Sequence, residues 1–81
     1  MASRDEWSSL CRAFGAAVRA RREELAWSQE ELGFEADLDR TYISGIERGV
    51  RNPTLKIVGR LAKALGTRAS KLFLAAEDGR S

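Results

Sequence analysis

SQEELGFEADLDRTYISGIERG, residues 28–49, holds two helix starts and a helix stop in one short run. Ser28 followed by Glu31 is an S-x-x-E capping box, in which each side chain takes an orphan backbone donor, so a helix begins at Gln29. That helix is short. Leu32 and Ala36 point one way and Phe34 nearly the opposite way, so Phe34 is expected to fold down onto the neighbouring turn, a partner contact being the alternative. Asp39 suits the N-cap of a second helix, and Gly49 is the residue a helix wants just past its end. Projected at about 100° per residue, that second helix separates two arcs. Tyr42, Ile43, Ile46 and Glu47 lie on one; Arg40, Thr41, Ser44, Gly45 and Arg48 occupy the other.

The flanks are helical too. Upstream, Leu10, Phe14, Ala17, Val18 and Leu25 share one face of a helix running roughly from Ser8 to Leu25. Arg21 falls on that face and Arg22 at its edge, so a half-buried guanidinium there needs a partner. Downstream, Pro53 precedes a helix capped by Thr54, with Leu55, Ile57, Val58, Leu61, Ala62 and Leu65 as its apolar stripe and Lys56, Arg60 and Lys63 on its back. After Gly66, Thr67 can cap a last short helix containing KLFLAA. Leu72, Phe73 and Leu74 are consecutive and cannot all face one core, so with Leu65 at the end of the fourth helix they are the expected contact with a second chain. No stretch alternates like a strand. The expectation is one all-α domain of five helices over residues 1–81, with a core of about 8–75 and frayed ends at 1–6 and 77–81.

Composition narrows the function. Fourteen basic residues against 12 acidic leave a net charge of +2, so a grip on nucleic acid must come from where the arginines sit and not from bulk charge. Arg12, Arg19, Arg21 and Arg22 do fall in a stretch without an acid until Glu23. There is no histidine, and Cys11 is alone, which removes the usual metal sites and the Cys-His and Ser-His catalytic pairs. Neither an enzyme nor a cofactor is expected. The lone thiol fits a reducing cytosol, and no run approaches a membrane span, so a cytoplasmic protein without a membrane partner is expected.

The two short helices of residues 28–49 have the size and phasing of a helix-turn-helix, in which the first helix crosses the DNA backbone and the second lies in the major groove. Arg40 can donate two hydrogen bonds to guanine, and Thr41 and Ser44 can bond either base type or touch a thymine methyl. Gly45, costly inside a helix, would let the backbone approach the groove floor or a phosphate; close packing of another helix, or simple tolerance, is the alternative.

From Phe14 to Phe73, about three quarters of the chain, the sequence resembles the Cro/repressor-type (XRE) helix-turn-helix family, a compact five-helix, lambda-repressor-like domain. The matching residues are FGAAVRARR, WSQEEL, LDRTYISGIERG, RNPTL and RLAKALG. Within that family it looks most like the small controller proteins of restriction-modification systems, on LDRTYISGIERG followed by RN. The resemblance implies base reading by Arg40, Thr41 and Ser44, and backbone contacts by Gln29, Tyr42, Arg48, Arg51 and Asn52. It also implies an ion pair between Arg22 and Glu47 that locks the first helix to the recognition helix, Arg21 being the rival partner. A homodimer would present two recognition helices roughly 34 Å apart to a pseudo-palindromic site in double-stranded DNA. Controllers of this kind regulate their own gene and that of the endonuclease. The resemblance thus adds two dimers on adjacent sites, a contact with RNA polymerase and a place at the bacterial nucleoid.

Three departures stand out: Ala26 where relatives usually carry glycine, Gly33 for the usual alanine, and Asp37 where the turn commonly has glycine or asparagine. The first and third positions call for left-handed backbone angles, which would remodel the turn and shift Gln29. A protein-binding module of the antitoxin type, repressing its own operon and using Phe34, Trp7 and the C-terminal apolar residues, is the alternative function. RNA binding lacks an aromatic platform.

Overall fold

The computed structural model describes residues 4–80, with side chains from 7 to 79. Its helices are α1 (Arg4–Glu24), α2 (Gln29–Ala36), α3 (Arg40–Glu47), α4 (Leu55–Ala64) and α5 (Ala69–Arg80).

Local chemistry starts the inner three as the sequence indicates. Ser28 Oγ accepts from the Glu31 N–H at 3.0 Å while Glu31 Oε1 accepts from the Ser28 N–H at 2.9 Å, completing the capping box. Asp39 caps α3 and Thr54 caps α4 through side-chain oxygens that accept from Thr41 and Ile57.

The first four helices all stop in one way. A residue with left-handed backbone follows each, at Ala26, Asp37, Gly49 and Gly66, and the next residue's N–H reaches back to the helix. Trp27 bonds to the Arg22 carbonyl, Leu38 to Gly33, Val50 to Gly45 and Thr67 to Ala62, the pattern of a Schellman turn. Ala26 and Asp37 thus carry the angles their positions call for, at φ of 59° and 56°. Gly33 suits the tight turn that follows, since a Cβ there would lie 2.6 Å from the Leu38 carbonyl oxygen.

Three boundaries differ from expectation. Helix α1 begins ahead of Ser8, at Arg4. Thr67 does not cap α5: the turn closing α4 consumes it, and the Arg68 carbonyl accepts the N–H groups of Lys71 and Leu72 instead. Helix α5 continues past Ala75 through EDGR to Arg80, so residues 77–80 extend it; the expected fraying of 1–3 and 81 lies outside the described residues.

The core joins all five helices: Phe14 and Val18 of α1, Leu32 of α2, Ile43 and Ile46 of α3, Val58, Leu61 and Leu65 of α4, and Leu72 and Ala76 of α5. Each large aliphatic among them contributes about 1.5–3 kcal/mol by leaving water. Helix α5 packs chiefly along α1, where Phe14 and Phe73 meet with ring centroids 5.3 Å apart. Helix α1 crosses α3 so closely at Gly15 that a Cβ would fall 2.0 Å from the Ile46 carbonyl oxygen. The fold is thereby a brace, with α1 and α2 packed against α3 and Arg40, Thr41 and Arg48 of its outer arc left exposed.

Candidate nucleic-acid interface

The inner arc of α3 is locked before the outer arc can do anything. Arg22 Nε donates to Glu47 Oε2 at 2.7 Å and its Nη2 donates to Glu47 Oε1 at 3.0 Å, the two side chains being only 11% and 3% exposed. Arg22 Nη1 donates to the Trp27 carbonyl at 2.6 Å, which ties the turn before α2 into the same knot. The hydrogen bonds that Arg22 donates to Glu47 hold the Arg22 pKa above its ordinary value despite burial. Arg21 is not the partner of Glu47. Its Nε donates to the Leu65 carbonyl at 2.9 Å and closes the end of α4, so each of the two inward arginines has its own acceptor.

Glu47 also receives Gln29. The Gln29 Nε2 donates to Glu47 Oε1 at 3.0 Å, committing one amide hydrogen and leaving the second for an outside acceptor. Arg22 of α1 and Gln29, the first residue of α2, therefore share the carboxylate at the end of α3. With Ala26 in the left-handed region, Gln29 is held by this bond.

On the outer arc the three expected base readers differ in what they have left to offer. Arg40 is exposed and has no hydrogen-bond or ion-pair partner among the described residues; it borders a depression with Ser28, Gln29 and Glu30. Its full fork of donors is available. The Thr41 hydroxyl donates to Asp39 Oδ1, which also accepts the Thr41 N–H at 2.8 Å. With its hydrogen spent, Thr41 can only accept from a base or press its methyl on one. These bonds from Thr41, with the charge of Arg40 a lesser cause, hold the Asp39 carboxyl below its usual range. Ser44 accepts from Arg48 Nε at 3.3 Å and keeps its own hydrogen to donate.

Gly45 corrects the expectation of an open notch. It is buried, and what covers it is the Arg51 side chain: a Cβ on Gly45 would fall 2.7 Å from Arg51 Cγ. The Arg51 guanidinium carbon lies 5.6 Å from the Tyr42 ring centroid, a cation–π contact of about 0.5–1 kcal/mol at an exposed site. Tyr42 and Arg51 thus belong together, whereas Asn52 is exposed and lines a separate groove beside Leu10 and Phe14. Pairing of Arg51 with Gly45 could not be read from the sequence, because it needs the chain to reverse at Gly49 and return along α3.

The expected second-chain contact is half overturned. Leu65 and Leu72 are core residues, buried because α5 lays Leu72 against α1 and α4; neither can face a partner. Phe73 is half-buried on Phe14, and Leu74 is 58% exposed. The α4 stripe includes Leu55 by angle, but the residue is 85% exposed at the first position of α4. Leu55 and Phe73 line an apolar groove of about 150 Å³ with Val58 and Pro53. Phe34 does not fold onto its turn. It stands 84% exposed beside Glu30, Glu31, Glu35 and the half-buried Trp27. Among the described residues no helix is long and apolar enough to cross a membrane.

The chain is similar in sequence and fold to known proteins. Residues 18–72 match the model of a family described as helix-turn-helix. Control protein C.BamHI of Bacillus amyloliquefaciens is 50% identical over 61 residues, spanning 74% of this chain and 75% of that protein. The crystal structure of the restriction-modification controller protein C.AhdI from Aeromonas hydrophila superposes with a TM-score of 0.75 at 40% identity, over 76% of this chain and 94% of that one. The restriction-modification controller protein C.Esp1396I, solved as a tetramer in complex with its natural 35 base-pair operator, gives a TM-score of 0.79 at 34% identity, over 88% and 93% of the two chains.

Proposed function

As this chain belongs to the helix-turn-helix family, we propose that it is a sequence-specific DNA-binding transcriptional regulator of the restriction-modification controller type. The observation that carries this is the division of α3. Its inner arc is fixed by the Arg22–Glu47–Gln29 bonds, and its outer arc presents Arg40, Thr41 and Ser44 with complementary donor and acceptor capacity. Arg40 reads guanine, Thr41 and Ser44 discriminate the neighbouring bases, and Gln29, Tyr42, Arg48, Arg51 and Asn52 contact the backbone and set register.

One such helix reads only a few base pairs, so the working unit is a homodimer on a pseudo-palindrome. Leu55 and Phe73 with their groove, together with the exposed Leu74, form the face that pairs, in place of Leu65 and Leu72. Two dimers on adjacent sites, the arrangement suggested by the C.Esp1396I tetramer on its operator, would let the protein activate its own gene and that of an endonuclease at low occupancy and repress at high occupancy. Activation needs RNA polymerase. Phe34 and its glutamates offer the contact, on a face that DNA phosphates would repel. The protein would work without catalysis or cofactor, in the bacterial cytoplasm at the nucleoid. Identity to control proteins favours this over toxin neutralisation.

Selection from random duplexes at near-physiological salt tests the reading, with wild type beside Arg40→Ala. Wild type is expected to enrich a two-fold-symmetric site, and the variant to lose preference at one base step per half-site. Enrichment of nothing by wild type sinks the reading.

A further inference from the structure

Arg51 lies six positions beyond Gly45 and on the far side of a chain reversal, yet its stem occupies the space where a side chain at position 45 would be. Three observations build that arrangement. The left-handed Gly49, at φ of 77°, turns the chain, and the Val50 N–H returns to the Gly45 carbonyl at 2.9 Å, bringing position 51 back onto α3. The bare backbone of Gly45 then accepts the methylenes of Arg51, with Cγ, Nε and Cδ lying 2.7, 3.5 and 3.6 Å from where a Cβ would be. The Tyr42 ring finally receives the guanidinium, its carbon 5.6 Å from the centroid.

An arginine loses several rotatable bonds' worth of freedom when it grips a ligand, unless folding has already restricted them. An exposed arginine whose stem rests in a glycine notch and whose head lies over an aromatic ring is restricted in advance. We infer that Gly45 and Tyr42 form a seat that holds Arg51 ready at the DNA-facing surface, so that Arg51 acts as a pre-positioned phosphate clamp and Gly45 and Tyr42 are its positioning residues. This rests on the DNA-binding reading above. It also accounts for a glycine in the middle of an eight-residue helix, where alanine would otherwise be the better helix former.

The test is a double-mutant cycle of Gly45→Ala and Arg51→Ala on the selected operator, with melting temperatures and side-chain NMR of the free proteins. In free wild type the Arg51 side-chain protons are expected to be shifted upfield by the Tyr42 ring, and Gly45→Ala is expected to abolish the shift while holding or raising the melting temperature. Arg51→Ala is expected to weaken operator binding about ten-fold, as for a lost charge-assisted hydrogen bond, and to lower the slope of log affinity against log salt by about 1. Gly45→Ala should reproduce most of both effects, and the double variant should be no worse than Arg51→Ala. A merely structural glycine would lower the melting temperature and add its loss to that of Arg51→Ala. Unchanged affinity in Gly45→Ala, fully additive losses, or an unshifted Arg51 in wild type each overturn the inference. Failure of wild type to select any duplex is a different result, since it removes the DNA-binding reading while the NMR shift still reports whether the seat exists.

Discussion

Arg22 and Glu47 meet through two parallel hydrogen bonds across the contact of α1 with α3, in a place that water barely reaches. Removing one partner leaves the other charged and desolvated, which is costlier than the pair is worth. Glu47→Ala is expected to lower the unfolding free energy by about 3 kcal/mol in urea titrations. Arg22→Ala should cost a similar amount, and the double variant less than the sum. Additive losses would show that the two residues act separately.

Asp39 predicts an acid limb of stability. Its folded pKa lies below its unfolded value near 4, so between the two the unfolded chain binds the extra proton and stability rises with pH. The contribution is therefore present above about pH 4 and is lost as pH falls through the folded value. Melting temperatures taken from about pH 6 downward should show a shallower acid decline for Asp39→Asn, which keeps a capping oxygen but cannot titrate. An identical decline in both proteins would assign the acid limb to other carboxylates.

The two classes of leucine should separate cleanly. Leu55→Glu and Leu74→Glu are expected to dissociate the dimer in sedimentation experiments while changing the stability of each chain by no more than about 0.5 kcal/mol. Leu65→Ala, inside the core, should instead cost about 2–5 kcal/mol. A dimer that survives both glutamates would move the pairing face elsewhere.

Phe34 yields a variant that splits binding from activation. Phe34→Ala removes an almost fully exposed ring, so stability within about 0.5 kcal/mol of wild type and unchanged operator affinity are expected. Promoter output in a reconstituted transcription assay should fall. Undiminished output would take the α2 face out of the polymerase contact.

What could be read in advance follows from how far each feature reaches along the chain. Ser28, Asp39 and Thr54 act on residues two or three positions away, so their caps were visible as sequence pattern. The projection of α3 into two arcs held for the same reason, and the phrase LDRTYISGIERG carried the family. The projection placed Arg21 and Arg22 inward without assigning them; the resemblance named Arg22, and the packing of α4 supplied the Leu65 carbonyl for Arg21. Features made by distant segments stayed hidden. Nothing local to Gly15 announces the Ile46 carbonyl that lies over it, and nothing local to Gly45 announces the Arg51 stem that the loop brings back. Leu55 fits the α4 stripe by angle, yet stands 85% exposed at the first position of the helix. Periodicity reports direction around a helix, not whether a neighbour is there to be met.

The opposed faces of α3 have an evolutionary consequence. Ile43, Ile46 and Glu47 carry its share of the fold, whereas Arg40 and Thr41 are exposed and outside the core. A lineage can exchange those outer residues one at a time, drifting toward a new operator, without passing through an intermediate that fails to fold. Glu47 stands opposite: tied to α1 and α2 at once, it cannot be exchanged without leaving the Arg22 guanidinium and the Gln29 amide short of an acceptor.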